Sequence, residues 1–194
     1  MVKVKSFTTI IIMKNITLSV MLAFAGFAAQ AQSNSILVYG NLGINSSKST
    51  ADIKTSSFSF SPAVGYQWNN HMTAGINLKT MTGKTGSPEI KSSSFGVGPF
   101  VRYAYPLSDI FAIYGQLNTN YVSSKVAGIK GNGVEATLFP AIGVNLKNGF
   151  ALNFNFGSLG FGTNKVKGES SSSSFGLNFG SGAGFGISKN FGLK

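Results

Sequence analysis

No cysteine occurs anywhere in the chain, so it can form neither a disulfide framework nor a thiolate metal or redox centre. Histidine occurs once, at His71, and the acidic residues number five. Asp52, Glu89 and Glu169 fall in three separate polar stretches with no histidine beside them, so no triad, carboxylate dyad, transition-metal site or Ca²⁺ site can be assembled. His71 itself sits in a short turn, as a solvated or interfacial residue. Charged residues make up only 11% of the sequence, against roughly 25% in an ordinary soluble domain. There is no run of 18 consecutive apolar residues after the N-terminal segment, which excludes helical membrane spans. Arginine occurs once, at Arg102, and this argues against a nucleic-acid surface despite the basic balance.

The first segment is a targeting signal in pattern. Lys14 precedes an apolar stretch over residues 16–28, and Ala29-Gln30-Ala31 supplies the small residues a signal peptidase requires, at Ala29 and Ala31. The stretch is shorter than the roughly 20 residues a helix needs to span a bilayer. The expectation is a signal peptide over 1–31, with Met13 the more natural start, and a mature domain over 32–194. Removing Lys3, Lys5 and Lys14 leaves 13 basic residues against five acidic ones.

What the chain has in abundance is glycine (25), phenylalanine (17) and a fourfold recurrence. Ser57-Phe58-Ser59-Phe60, Ser94-Phe95-Gly96-Val97, Glu135-Ala136-Thr137-Leu138 and Ser174-Phe175-Gly176-Leu177 each open an alternating apolar run, with starts 37, 41 and 39 residues apart. In the first three units a polar turn and a second alternating run follow, so each reads as a β-hairpin. The alternation predicts strands at 36–46, 58–68, 72–81, 95–105, 110–122, 134–146, 150–161 and 175–191. Each is about 10 residues or longer, enough to meet the roughly 9–11 that cross a bilayer at a tilt. Tight connections at 69–71, 106–109 and 147–149 alternate with long ones at 47–57, 82–94, 123–133 and 162–174, the asymmetry of an outer-membrane barrel. The fold class predicted is all-β, a membrane-spanning antiparallel up-and-down barrel of eight strands, with ten the alternative if the last segment folds back.

The two faces of these strands differ in kind. One carries bulky apolar residues such as Phe58, Phe60, Val64, Ile76, Val97, Leu117, Leu138, Phe154, Phe175 and Leu177. The other carries Ser59, Asn77, Lys79, Gly96, Arg102, Gln116, Asn120, Glu135, Asn153 and Gly184. The polar face is small and mostly uncharged, unlike a water-exposed surface, and Tyr66, Trp68, Tyr103 and Tyr121 lie near strand ends where membrane girdles form. The apolar face is therefore expected to meet lipid and the polar face to fill the lumen. Pro62, Pro99 and Pro140 sit at equivalent places in three hairpins, where the missing N–H predicts bulges or local openings. Glycine alternation over 180–184 reads as space cleared inside a narrow barrel, since no helix or Lys-Ser/Thr follows to make a phosphate loop.

The signal ending in Ala29-Gln30-Ala31-Gln32, the stretch Phe58-Ser59-Phe60-Ser61-Pro62-Ala63-Val64-Gly65-Tyr66, the block from Phe150 to Phe161 and Ser174-Phe175-Gly176-Leu177-Asn178-Phe179 together resemble the small porin-family outer membrane protein β-barrel domain, the OmpA/OmpX-like eight-stranded barrels. The resemblance covers essentially the whole mature chain and implies the outer membrane of a Gram-negative bacterium, with no catalytic residue to carry over. It also implies a terminal aromatic read by the barrel-assembly machinery. Here Phe191 is followed by Gly192-Leu193-Lys194, a departure from the family's aromatic last residue.

Candidate functional residues follow from the two polar regions. In the lumen, Lys79, Arg102 and Glu135 form a charge cluster, in which at least one cation should lie against Glu135 and Asn, Gln and Tyr114 side chains should complete a plug. In the outer loops Lys48, Lys54, Lys84, Lys91, Lys125, Lys130, Lys165 and Lys167 face only Asp52, Glu89 and Glu169, an excess suited to phosphates of outer-membrane lipid or lipopolysaccharide. No cofactor, metal or nucleic-acid partner is expected, and the barrel is expected to be monomeric. The expected role is non-enzymatic, in envelope integrity or surface interaction through the loops. A narrow pore and a soluble ligand-binding barrel are the alternatives.

Overall fold

The computed structural model describes residues 34–49, 54–86, 88–166 and 170–193, with the side chains of 181–183 outside the description. The signal residues Ala29 and Ala31, together with Asp52, Lys167, Glu169 and Lys194, lie outside the described residues.

Eight strands follow one another: β1 Ser35–Lys48, β2 Lys54–Gln67, β3 Met72–Thr85, β4 Ile90–Pro106, β5 Phe111–Val126, β6 Ile129–Asn145, β7 Phe150–Val166 and β8 Ser172–Gly192. Each pairs antiparallel with its neighbours and β8 returns to β1, so the sheet is a closed barrel of eight strands in simple up-and-down order. Ten strands are not needed, because β8 is one continuous 21-residue strand.

The alternation in the sequence maps onto the wall as expected. Phe58, Val64, Ile76, Phe95, Val101, Leu117, Leu138, Phe185 and Ile187 point outward and are exposed, while Asn77, Arg102, Gln116, Asn120, Asn153 and Ser188 point inward and are buried. A side-chain period of two makes this arrangement all-or-none for each strand, because a one-residue slip would exchange the faces. Tyr66, Trp68, Tyr103 and Tyr105 gather near the end that carries both termini, and His71 stacks on Tyr103 at 5.7 Å and Tyr105 at 6.1 Å, its Nδ1 donating to Ala104 O at 2.9 Å.

The connections differ from the expected alternation of short and long. β3 and β4 remain paired as far as Thr85↔Ile90, and β5 and β6 as far as Val126↔Ile129, leaving only Ala127 and Gly128 between them. Most of the stretches expected as long loops are strand. Beyond the apolar belt both faces turn to Ser, Thr, Gly, Asn and Lys, which erases the alternation, but the main-chain ladder continues because each hairpin pairs its own backbone in water. The turn between β5 and β6 has φ of 50° at Ala127 and 90° at Gly128, the two consecutive positive values of a two-residue hairpin turn matched to strand twist.

Pro62, Pro99 and Pro140 each mark a break on one side only. β1 pairs through Pro62 without interruption, while β2 and β3 pair at Phe60↔Thr80 and next at Ala63↔Asn77. Pro99 is paired with Ile76, yet β4 and β5 skip from Val97↔Tyr121 to Phe100↔Asn118. At Pro140 the break becomes a register shift, between Leu138 and Ala141 in the β6–β7 ladder. The missing N–H opens the ladder on the side where it would have donated.

Candidate functional site

The inward residues stack in two polar layers. Toward the termini, Arg102 on β4 stands directly across the ladder from Gln116 on β5, and its Nε donates to Gln116 Oε1 at 2.8 Å. Gln116 Nε2 donates onward to the Tyr39 hydroxyl and, at 2.7 Å, to Asn118 Oδ1. The guanidinium carbon lies 4.1 Å from the centre of the Tyr114 ring and 4.8 Å from that of Tyr39. Tyr114 in turn donates to Asn153 Oδ1 at 3.0 Å, and Asn153 Nδ2 donates to Ser188 Oγ at 2.9 Å. This chain of contacts runs from β1 through β4, β5 and β7 to β8, so it ties opposite walls together across the lumen.

The second layer lies toward the distal end. Lys79 Nζ is 2.6 Å from Glu135 Oε1, a charge-assisted contact between β3 and β6. Of the three charged residues expected in the lumen, the structure brings Lys79 and Glu135 together and holds Arg102 apart. The two cations sit six residues apart when projected onto β3, because Arg102 pairs with Thr73 and Lys79 is itself on β3; at about 3.3 Å per residue this separates them by roughly 20 Å along the strand.

Sequence reasoning missed the bulky inward residues Leu37, Tyr39, Phe100 and Phe139, all buried. Phe100 fits because its neighbours yield space: a Cβ on Gly65 would lie 2.6 Å from Phe100 Cζ, and one on Gly75 would lie 2.7 Å from Phe100 Cε1. The signal was present in β1, where Leu37 and Tyr39 interrupt the polar face opposite Ile36 and Val38, leaving both faces apolar.

The distal rim is basic and ordered by the hairpins. Lys48 stands opposite Lys54, Lys84 opposite Lys91 and Lys125 opposite Lys130. Like charges directly opposite one another destabilise a hairpin, and here the arrangement recurs in three successive units. Glu89 offsets one of them, at 3.3 Å from Lys84 and 3.7 Å from Lys91. Lys165 lies opposite Asn132. Lys84, Lys91 and Lys125 line a distal vestibule of about 1050 Å³ whose walls are otherwise rich in Ser46, Ser56, Ser57, Ser92 and Ser93. Among the described residues no group of three or more His, Asp or Glu side chains is placed to hold a metal ion.

Phe191 lies at the closing seam, paired with Ile36 and nearly buried. The Lys189 ammonium covers its ring at 4.9 Å and that of Phe150 at 4.5 Å. β8 ends at Gly192, one residue past Phe191.

A closed antiparallel barrel with an apolar exterior, aromatic residues toward its ends and a filled polar lumen defines the transmembrane β-barrel class. The chain belongs to the outer membrane protein beta-barrel domain family, whose model matches residues 17–194. Among solved structures it is similar to Neisserial surface protein A, at 12% identity and a TM-score of 0.50 over 84% of this chain and all of that one. It also matches the translocator domain of the autotransporter NalP from Neisseria meningitidis (15% identity, TM-score 0.45, 89% of this chain and 68% of that one). A third match is the outer membrane protein Ail of Yersinia pestis (13% identity, TM-score 0.34, 82% of this chain and all of that one). At such identity the first of these likenesses speaks to fold alone. A search of curated proteins finds no match.

Proposed function

We propose that the protein is a non-enzymatic, integral component of the Gram-negative outer membrane, exported with its signal removed after Ala31, whose closed wall contributes to envelope integrity and whose basic rim faces the cell exterior. The observation that carries this reading is the combination of an apolar exterior with a lumen closed by the Arg102–Gln116–Tyr39 and Tyr114–Asn153–Ser188 contacts. An eight-stranded barrel leaves an interior just wide enough for side chains, and here those side chains are bonded across it. The lumen is then blocked at the level of these contacts, in the half of the barrel where β1 and β8 are paired.

The expected partner of the rim is phosphate on outer-membrane lipid or lipopolysaccharide headgroups. Three cross-strand lysine pairs at one end of the barrel are costly in isolation and favourable against an anionic surface, at about 1 kcal/mol per lysine near such a surface. Recognition of Phe191 by the barrel-assembly machinery is part of the same reading.

The test is to fractionate membranes, sequence the mature N-terminus, shave intact cells with protease and record planar-bilayer current. The expected outcome is an outer-membrane protein beginning at Gln32, cleaved only at the distal hairpins, with no steady conductance. A steady channel in the intact barrel overturns the blocked-lumen reading, and recovery in the soluble fraction overturns the membrane reading. Replacing Lys84, Lys91, Lys125 and Lys130 with Gln should weaken lipopolysaccharide retention and flatten its salt dependence; unchanged retention overturns the headgroup assignment alone.

A further inference from the structure

We infer that Arg102 anchors a small monovalent anion, chloride-like in size and charge, in a cavity at the terminal end of the lumen. Arg102 is only 6% exposed, and a buried charge is tolerated only when something compensates it. Among the described residues no carboxylate lies within ion-pair distance of the guanidinium; Glu135, the acid of the lumen, is taken by Lys79. The groups that do meet Arg102 are neutral. Gln116 supplies one amide oxygen, and the Tyr39 and Tyr114 rings supply faces that attract a cation through their quadrupoles without cancelling its charge. Gln116 has nothing further to offer, since its amide nitrogen is committed to Tyr39 and Asn118.

The cavity beside Arg102 has the complementary character. It measures about 270 Å³, and every residue lining it other than Arg102 is uncharged. Thr73, which faces Arg102 directly across the β3–β4 ladder, and Ser188 present hydroxyls to the same space, with the Asn153 amide beside them. The two hydroxyls are the donors suited to a halide, the Asn153 amide being committed to Ser188 Oγ and Ala151 O, and no carboxylate lines the cavity to repel an anion. The volume accommodates an ion with several waters, each taking about 30 Å³. A single guanidinium balances one negative charge, so a monovalent anion fits and a doubly charged phosphate would lack a second cation. The inference depends on the lumen of the folded barrel and is independent of the headgroup assignment at the opposite rim.

Two measurements on the full folded chain test it. The first follows the urea midpoint at constant ionic strength as sodium gluconate is replaced by sodium chloride. A tenfold rise in chloride above its dissociation constant should raise the folded-to-unfolded ratio about tenfold. That response should persist in Lys125→Gln and vanish in Arg102→Gln, and an equal response in Arg102→Gln overturns the inference. The second needs no variant: crystals of the natural chain in bromide should show an anomalous peak against the Arg102 guanidinium and the Thr73 or Ser188 hydroxyl. Peaks confined to the rim lysines, an adventitious ion only, or no peak at all, overturn it as well.

Discussion

Lys79 Nζ lies 2.6 Å from Glu135 Oε1, bonding β3 to β6 across the lumen and not along a hairpin. The side chains are 38% and 27% exposed, so water reaches the pair and discounts its strength. Glu135→Gln should leave an unpaired ammonium and cost about 1–2 kcal/mol, while the double change Lys79→Met with Glu135→Gln should recover part of that loss, giving a coupling of roughly 1 kcal/mol. The check is urea unfolding followed by fluorescence of Trp68, the single tryptophan. Coupling that is zero at low salt would show that the pair contributes nothing.

Phe100 occupies the notch above Gly65 and Gly75. Phe100→Ala should cost about 3–5 kcal/mol through the cavity it leaves. Gly75→Val should be comparably severe, because its side chain meets both the Phe100 ring and the neighbouring β2 backbone. Gly115 is the internal control: nothing lies within 4 Å of a Cβ placed there, so Gly115→Val should be tolerated. Equal losses at Gly75 and Gly115 would refute the account of the notch.

This contrast explains how much was legible in the sequence. Strand number, order and the lipid-facing side follow from alternation, because burial in lipid on one face and a polar lumen on the other forces a period of two. The pairing of Glu135 with a cation follows from the cost of lone charge, but not which cation, since Lys79 and Arg102 share one face and only the register separates them. Phe100 and Phe139 are of the same residue type as the wall, yet their parity with Arg102 and Ala141 turns them inward. The strand extensions beyond the membrane belt were illegible for a different reason: Ser92, Ser94, Lys84 and Lys125 carry no pattern, and their pairing is a main-chain effect.

The seam between β1 and β8 is closed for only half its height. Its ladder runs from Ser35↔Gly192 to Asn41↔Gly186, whereas β1 stays paired with β2 up to Lys48↔Lys54 and β8 with β7 up to Asn164↔Ser172. β8 departs where it holds extra length: β7 passes from Asn155 to Gly157 while β8 spans Phe179 to Gly184, and Gly180 takes a φ of 71°. Ile44, Phe175 and Phe179 along the parted edges are 73–74% exposed, against 44% and 45% for Leu117 and Leu138 on the continuous wall. In this cysteine-free chain, Gly40→Cys with Ile187→Cys should form a disulfide on mild oxidation. Ile44→Cys with Ala183→Cys, opposite only if the ladder continued, should form far less. Equal cross-linking in lipid nanodiscs would mean the seam is zipped along its full length.

The β5–β6 hairpin turns on Ala127 and Gly128, at φ of 50° and 90°. A left-handed backbone costs a non-glycine residue about 1–2 kcal/mol, and Asn tolerates it better than Ala because its side chain bonds locally. Ala127→Asn should therefore stabilise the barrel by about 0.5–1 kcal/mol, bringing the turn to the favoured Asn-Gly pair. Gly128→Ala should destabilise it by about 1 kcal/mol, since a Cβ at positive φ is strained even with open space around it. Nothing lies within 4 Å of a Cβ at Gly128, so a clash cannot account for that loss and backbone strain is its only source. Urea midpoints of the two variants measure both signs. A loss for Ala127→Asn, or none for Gly128→Ala, would show that this tip pairs differently and that β5 and β6 end short of Val126 and Ile129.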